Sequence, residues 1–451
     1  MLAISDPGSD TRVSYETLSR KVEHAAAALS ERSRSLVFLF PTNSLDAIAC
    51  YLGCLLANHA LHLSSVPIYH PAAAALIERY RPELILWVGR APVALKSHYD
   101  PARPIGSYQA LSRRKPNDPL PNAELAILLS TSASTGNPKL VRLSRYNVAC
   151  SAAQVCGSLG ITESDRAFLS LPVPYVYGLS VLNSHLAAGA SLVLDNHSPS
   201  DRKFWASART SRVTSLPGVS YTFDCLRLLG LRCSDLPTIR TLTHSGDRLT
   251  SVNFAWMYRS FPPPRVRIYL MYGQTEATGR MCVLPPGWLP QKAGSVGAPV
   301  PWGKIAVDRE AEITFDGPNV MMGYAERRED LARGHEHSRP LHTGDTGFID
   351  DSGLLFITGR LNRVCKIHGQ RINLGDVESL LRDFGDAAVV GSSAGLVVFH
   401  EDCTKSLSAR VLPLARQLHV PPQCIELRRI SAIPRGPSGK IDYRTLTSLV
   451  R

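Results

Sequence analysis

Apolar positions along the chain fall into two rhythms. Thr11–Ser30 repeats them at helical spacing, with Leu18, Val22, Ala25, Ala26 and Leu29 on one face, and Leu45–Leu56 reads as a second helix. Short apolar runs at Leu36–Phe40, Leu84–Val88, Leu125–Leu129, Ala167–Leu171, Ser191–Leu194 and Ile268–Met271 read as strands. Strands separated by helices predict an α/β chain with mostly parallel sheets. The character changes after about residue 290, where Lys304–Asp308, Ala311–Phe315, Gly347–Asp350 and Leu354–Thr358 read as short strands. Asp351-Ser352-Gly353 is a tight turn that joins the last two into a hairpin. From about Arg363 onward a mixed segment of roughly ninety residues is long enough for a small α+β domain. No repeat at solenoid spacing is found.

Composition narrows the class. The chain has 451 residues, 44% apolar and 20% charged, which supports a large core and excludes a disordered or disulfide-stapled protein. No apolar run is long enough to span a membrane, and the N-terminus lacks the basic-then-apolar pattern of a signal peptide. Ten cysteines are scattered without metal or redox spacing, which points to free thiols, a reducing compartment and a cytoplasmic location. Net charge is +12, yet basic residues are spread along the chain without a tract or nucleic-acid signature, so no nucleic-acid partner is expected. A basic surface suits a nucleotide, coenzyme A or an acidic carrier protein; coding composition alone also yields an arginine-rich chain.

Five stretches carry candidate chemistry. In Leu128-Leu129-Ser130-Thr131-Ser132-Ala133-Ser134-Thr135-Gly136-Asn137-Pro138-Lys139 a strand runs into a hydroxyl-rich loop ending in a lysine. Hydroxyls and free N–H groups can surround phosphate oxygens while the lysine adds a point charge. The spacing is not that of a Walker loop, and an ordinary Ser/Thr turn fits equally well. In Tyr269-Leu270-Met271-Tyr272-Gly273-Gln274-Thr275-Glu276 a strand ends in a turn presenting Thr275 and Glu276, the latter a hard oxygen ligand suited to Mg²⁺. Thr343-Gly344-Asp345-Thr346-Gly347 holds an acid that can accept from vicinal hydroxyls. Gly359 to Asn373 and Pro434 to Asp442 are basic, glycine-containing loops, and the second can carry Lys440 to an anionic centre. Each alone is matched by a plain turn.

In this order, the stretches resemble the adenylate-forming superfamily of acyl- and aryl-CoA synthetases, carrier-protein-loading adenylation domains and luciferases, over nearly the whole chain. The resemblance implies a large N-terminal core of several subdomains, residues 1–359, with mostly parallel sheets and a β-rich portion. A hinge at 360–363 and a small α+β lid at 364–451 would follow. It places Thr131, Ser132, Ser134, Thr135 and Lys139 on the ATP phosphates, Tyr272 and Gly273 beside adenine, and Asp345 and Arg360 on the ribose. Ser245, Gly246 and Asp247 would line adenine and substrate; Thr275 would touch phosphate and Glu276 would hold Mg²⁺. Lys440 would bridge carboxylate and α-phosphate, with Asn362 as the hinge residue. Tyr175, Gly178 and His244 would shape the acyl pocket, together with Val213 to Tyr221, and Lys366, Gly369 and Arg371 the thiol-acceptor side.

The implied activity is ATP- and Mg²⁺-dependent conversion of a carboxylic acid to acyl-AMP, then thioester formation on coenzyme A or a phosphopantetheine of a separate carrier protein. Pro174 to Ser180 has no acidic residue to hold a substrate ammonium, which favours an acyl or aryl acid over an amino acid. Four positions depart from the family pattern: Ala133 and Leu140 replace glycines around the phosphate loop, Tyr175 stands where histidine is frequent, and Asn362 makes the hinge neutral. The alternatives are a catalytically silent nucleotide-binding scaffold, an amino-acid-activating enzyme, and a phosphotransferase that would release ADP.

Overall fold

The computed structural model describes residues 1–89, 98–114, 116, 118–130, 139–336, 340–367, 370–381, 387–392, 394–401, 407–436 and 441–450. Packing divides the chain into two compact units. The first comprises Met1–Lys304 and Asp316–Leu341, the second Ile305–Phe315 and His342–Arg451.

Among the described residues the first unit holds two large sheets. The nine-stranded sheet runs in the order Ala298–Pro299, Cys282–Leu284, Arg267–Tyr272, Thr241–His244, Ser215–Gly218, Arg166–Leu169, Ser191–Leu194, Leu2–Asp6, Thr11–Ser14. Its central strands are parallel and its outer ones antiparallel. The eight-stranded sheet runs Gly323–Ala325, Leu140–Ser144, Leu125–Ser130, Ala60–Leu63, Leu36–Leu39, Leu84–Trp87, Tyr108–Arg113, Tyr99–Ile105. The central strands Leu-Val-Phe-Leu, Ala-Leu-His-Leu and Leu-Ile-Leu-Trp are buried at every position, as strands covered on both faces must be. Phe38, Tyr80, Trp87, Leu128 and Met322 meet in one core cluster.

The second unit carries a four-stranded sheet of Lys304–Val307, Glu312–Asp316, Leu341–Ile349 and Leu355–Arg360. It also has the hairpin Val364–Ile367/Gln370–Asn373 and a three-stranded sheet of Ala387–Ser392, Gly395–His400 and Ile425–Arg429. The helices Leu374–Leu381 and Val411–Leu418 pack their apolar residues with Val389 and Val398 into a separate core. The four-stranded sheet thus packs with the C-terminal unit, whereas the family resemblance counts residues up to 359 with the core.

The α/β reading of the sequence holds, with changes at element ends. Leu45–Leu56 and Ser191–Leu194 have the expected bounds. The first helix is Tyr15–Ser30; Thr11–Ser14 is instead a strand paired antiparallel with Leu2–Asp6. Pairing takes these residues, and Ser14 then caps the helix by accepting from the Thr17 N–H. The strand expected at Gly347–Asp350 begins earlier, at Leu341. Leu355–Arg360 pairs with it across a turn in which Gly353 donates to the Asp350 carbonyl. The nine described cysteines are free. Among the described residues no helix is long and apolar enough to cross a membrane.

Candidate active site

Parallel strands place ligands outside their carboxyl ends, where the chain leaves the sheet with backbone groups unpaired. Three adjacent parallel strands, Ser215–Gly218, Thr241–His244 and Arg267–Tyr272, end at Val219-Ser220, Ser245-Gly246 and Gly273-Gln274. Candidates Ser245, Gly246, Asp247, Tyr272, Gly273, Thr275 and Glu276 lie at or just beyond two of these ends, whereas Tyr175 and Gly178 follow the Arg166–Leu169 strand and Lys139 precedes a strand of the other sheet.

After Tyr272 the chain turns through Gly273, whose Cα faces the Gly279 carbonyl so closely that an added Cβ would lie 2.3 Å from that oxygen. Thr275–Ala277 then forms one 3-10 turn that carries Glu276. Glu276 Oε1 accepts from the Tyr324 hydroxyl at 2.8 Å, and the Glu276 carbonyl accepts from the Met321 N–H at 2.8 Å. Burial, reinforced by the Glu276 charge, pushes the Tyr324 phenol well above its ordinary value, so it remains a donor. The Lys139 ammonium lies 3.6 Å from the centre of the Tyr324 ring. Tyr324 itself is held by strand pairing with Val141 and by Arg142, whose Nε donates to the Tyr324 carbonyl at 3.2 Å.

Glu276 Oε2 has no hydrogen-bond partner among the described residues, and a free carboxylate oxygen beside an anchored one fits a Mg²⁺ that keeps most of its waters. A second group with ligand-type side chains, Asp308, Glu312 and His342, lies in the other unit, where Glu312 already bonds His342 Nδ1 and the Gly344 N–H.

On the next strand end, Gly246 has φ +101°, a conformation L residues avoid, and an added Cβ would sit 2.2 Å from the Tyr175 hydroxyl. Ser245 is buried and accepts from Arg280 Nη1 at 2.9 Å. Asp247 Oδ1 accepts from the Ser220 N–H at 3.0 Å, the Ser220 hydroxyl at 2.9 Å and His244 Nε2 at 3.1 Å. Burial raises the Asp247 carboxyl, but these hydrogen bonds and the His244 charge outweigh it and hold the group below the ordinary carboxylate range. His244 touches both Ser220 and Asp247 through the same nitrogen, so the three do not form a nucleophile–base–acid relay.

Tyr175 begins the Val176–Ala187 helix, and its ring meets that of Tyr177 edge-on at 6.3 Å. The Tyr177 hydroxyl bonds Thr243, and burial pushes its phenol up to about 12. Gly178 is buried against the carbonyls of Leu171 and Pro172.

In the second unit Asp345 and Arg360 are paired residues of one hairpin, and Arg360 Nε contacts Asp345 Oδ1 at 2.7 Å. Asp345 is buried while the Arg360 side chain is 61% exposed. Lys366 and Arg371 pair in register on the Val364–Ile367/Gln370–Asn373 hairpin, and Asn362 lies in the turn Leu361–Arg363 before it. Thr131, Ser132, Ala133, Ser134, Thr135, Gly369 and Lys440 lie outside the described residues. Leu140, which departs from the family pattern, is fully buried as the first residue of its strand and belongs to the main core.

Two residues of the site were not singled out in the sequence. Tyr324 sits 48 residues from Glu276, and nothing local marks it. Arg280 follows Glu276 by four residues in an otherwise uncharged Ala-Thr-Gly-Arg-Met-Cys-Val-Leu run, and that isolated charge is the signal that could have found it.

A doubly wound core with Glu276 just beyond a parallel strand, tied through Tyr324 to Lys139, fits a nucleotide-dependent enzyme. Residues 2–325 match the AMP-binding enzyme family, and the chain belongs to it. Among curated relatives, a 2-succinylbenzoate–CoA ligase of Bacillus velezensis is 26% identical over 78% of this chain and 76% of its own length. An oxalate–CoA ligase of Arabidopsis thaliana is 29% identical over 64% of this chain and 57% of its own. Among solved structures, o-succinylbenzoate CoA synthetase from Bacillus subtilis in complex with its acyl-adenylate intermediate aligns with a TM-score of 0.78. That alignment covers 98% of this chain and 94% of the other at 21% identity, and it shows a shared fold.

Proposed function

We propose that this chain is an acid–thiol ligase that works through an acyl-adenylate, with ATP and Mg²⁺ in the first step and coenzyme A as thiol acceptor in the second. The observation that carries the reading is the linked set Lys139, Tyr324 and Glu276, in which the lysine lies over the ring, and the carboxylate accepts from the hydroxyl, of one tyrosine. The named relatives are CoA ligases, and their acids, 2-succinylbenzoate and oxalate, are carboxylic acids without an amino group.

In the first step a substrate carboxylate oxygen bonds to the α-phosphorus of ATP. The bond to the bridging oxygen breaks, and pyrophosphate leaves with that electron pair. No covalent bond to the protein is needed; the work is positioning two anions and neutralising charge as it develops. Lys139 and the hydroxyls of Thr131, Ser132, Ser134 and Thr135 hold phosphate oxygens. Thr275 donates to phosphate, and Tyr272 and Gly273 flank adenine. Ser245, Gly246 and Asp247 line the substrate side. Asp345 accepts from the ribose hydroxyls with Arg360 beside it, and Lys440 neutralises the reacting carboxylate and α-phosphate. Glu276 would hold Mg²⁺, which supplies positive charge beside the phosphate oxygens when bound.

In the second step the thiolate sulfur attacks the acyl carbon and AMP leaves. Residues 364–451 act as a lid turning at 360–363, which withdraws Lys440 and presents Lys366, Gly369 and Arg371 to the thiol arm. A carrier-protein phosphopantetheine ends in the same arm. The substrate lacks an α-amino group: Pro174 to Ser180 holds no acidic residue for an ammonium, and Asp247 is already engaged by Ser220 and His244. Incubation with ATP, Mg²⁺ and a panel of carboxylic and amino acids tests this. Acid-dependent release of pyrophosphate is expected; release of ADP and phosphate, or no release with any acid, would contradict it.

A further inference from the structure

Three arginines in the first unit are fully buried: Arg142, Arg280 and Arg328. Taking a guanidinium out of water costs several kcal/mol unless an anion and further acceptors replace the lost hydration. Two of the three follow that rule. Arg142 pairs with Glu336 and donates to the carbonyls of Arg333, Gly334 and Tyr324. Arg328 makes a two-point pair with Glu83 at 2.6 and 3.2 Å and donates to the Pro119 carbonyl.

Arg280 does not. Among the described residues its one hydrogen bond runs from Nη1 to the neutral Ser245 hydroxyl and no carboxylate pairs with it; its Nε is buried without an acceptor, as that of Arg328 is, but Arg328 has Glu83. Its guanidinium carbon lies 5.0 Å from the centre of the Tyr177 ring, a contact that softens the cost without supplying hydrogen-bond acceptors. Burial accordingly pulls the guanidinium down from its ordinary value, with the Tyr177 and Tyr175 phenols as the opposing influences.

Its place gives this cation a purpose. Its contacts are Ser245, on the strand end that carries Gly246 and Asp247, and Tyr177, in the first turn of the helix that Tyr175 begins. These are the segments assigned above to the substrate pocket. A buried guanidinium with no anion among the described residues, packed against both segments that the ligase reading assigns to the pocket, fits a carboxylate arriving with the substrate.

We propose that Arg280 is a specificity-determining residue that pairs with a second, non-reacting carboxylate of the substrate, so that the preferred acids are dicarboxylic. The inference rests on the ligase reading and narrows its substrate class. One carboxylate reacts with ATP while the other stays ionised against Arg280 and Ser245. The same buried cation disfavours an α-ammonium group in the pocket.

The test compares diacids with their monomethyl esters, which keep length and shape but lose one charge. Wild-type protein is expected to release pyrophosphate with a diacid at a kcat/KM about 100-fold above that of its monoester, since truncating one partner of a buried charge pair costs that much or more. In Arg280→Met that preference should collapse to within a few-fold, chiefly through the KM for the diacid, and Arg280→Lys should restore part of it. Melting temperature without ATP is an independent readout. A diacid should raise that of the wild type more than the monoester does, and not that of Arg280→Met. Equal use of diacid and monoester by the wild type would overturn the proposal. So would an Arg280→Met variant that loses ATP affinity while keeping its acid preference, because Arg280 would then serve the nucleotide phosphate. If no acid yields pyrophosphate, the ligase reading fails, and the melting shifts still decide whether Arg280 binds a carboxylate.

Discussion

The Tyr324 hydroxyl donates to Glu276 Oε1 at 2.8 Å, and this bond anchors one carboxylate oxygen from a strand on the other sheet. A carboxylate that must hold a metal beside a phosphate gains from such an anchor, because the free oxygen is then aimed before the metal arrives. Tyr324→Phe keeps the ring under Lys139 and removes only the donor. The Mg²⁺ concentration that half-saturates pyrophosphate release should rise about ten-fold, with a smaller change in the KM for the acid. Tyr324→Ala removes the lysine's platform as well and should also raise the KM for ATP. A magnesium titration of the three proteins distinguishes these effects.

Lys440 is assigned to the adenylation step alone. Lys440→Ala should reduce acyl-adenylate formation by on the order of 100-fold or more, as loss of a charge-stabilising group does. Thioester formation from supplied acyl-adenylate and coenzyme A should stay within a few-fold of wild type. Equal loss in both half-reactions, measured separately by rapid quench, would refute that division.

Gly246 adopts φ +101° with the Tyr175 hydroxyl where a Cβ would go. Gly246→Ala should destabilise the protein by roughly 1–3 kcal/mol from the backbone conformation alone, and more from the collision. Adding Tyr175→Phe removes the colliding oxygen and should recover the second part only. Urea unfolding of the single and double variants reads both quantities.

His62 lies at the centre of the eight-stranded sheet, fully buried, with Nδ1 against the Leu128 carbonyl at 3.0 Å. Burial lowers its pKa from 6.5 to about 4, against a smaller raising effect of that hydrogen bond. The unfolded chain therefore binds a proton between pH 6.5 and about 4 that the folded one refuses. The stability from keeping His62 neutral is complete above pH 6.5 and is lost as pH falls to about 4, by about 3 kcal/mol in all. Wild type should lose that much more than His62→Leu over the window, measured as unfolding free energy at each pH. Parallel curves for the two proteins would show that His62 titrates normally.

Much of this was legible in the sequence where a local signal sufficed. Leu45–Leu56 reads as a helix and has those bounds, and the structure adds the cap in which the Ser44 side chain accepts from the Ala47 N–H. The Tyr272–Glu276 turn could be singled out as a candidate metal and nucleotide site from residue types alone, and in the structure Glu276 accepts from Tyr324, whose ring lies under Lys139. Thr11–Ser14 went astray because its pairing with Leu2–Asp6, which makes it a strand, is a tertiary fact. Leu140 reads in sequence as a loop substitution and is in fact a core residue starting a strand. Tyr324 and Arg280 were missed for a related reason. A residue's role as anchor depends on a partner 48 positions away, and the lack of an ion pair at Arg280 among the described residues is a property of everything packed around it.

The central claim is that a carboxylate oxygen becomes bonded to the α-phosphorus of ATP. The most direct measurement uses an acid labelled with heavy oxygen in its carboxyl group, turned over with ATP, Mg²⁺ and coenzyme A, followed by mass spectrometry of the products. Passage through an acyl-adenylate predicts one labelled oxygen in AMP and none in pyrophosphate. Label in inorganic phosphate alongside ADP, or unlabelled AMP after complete thioester formation, would contradict it.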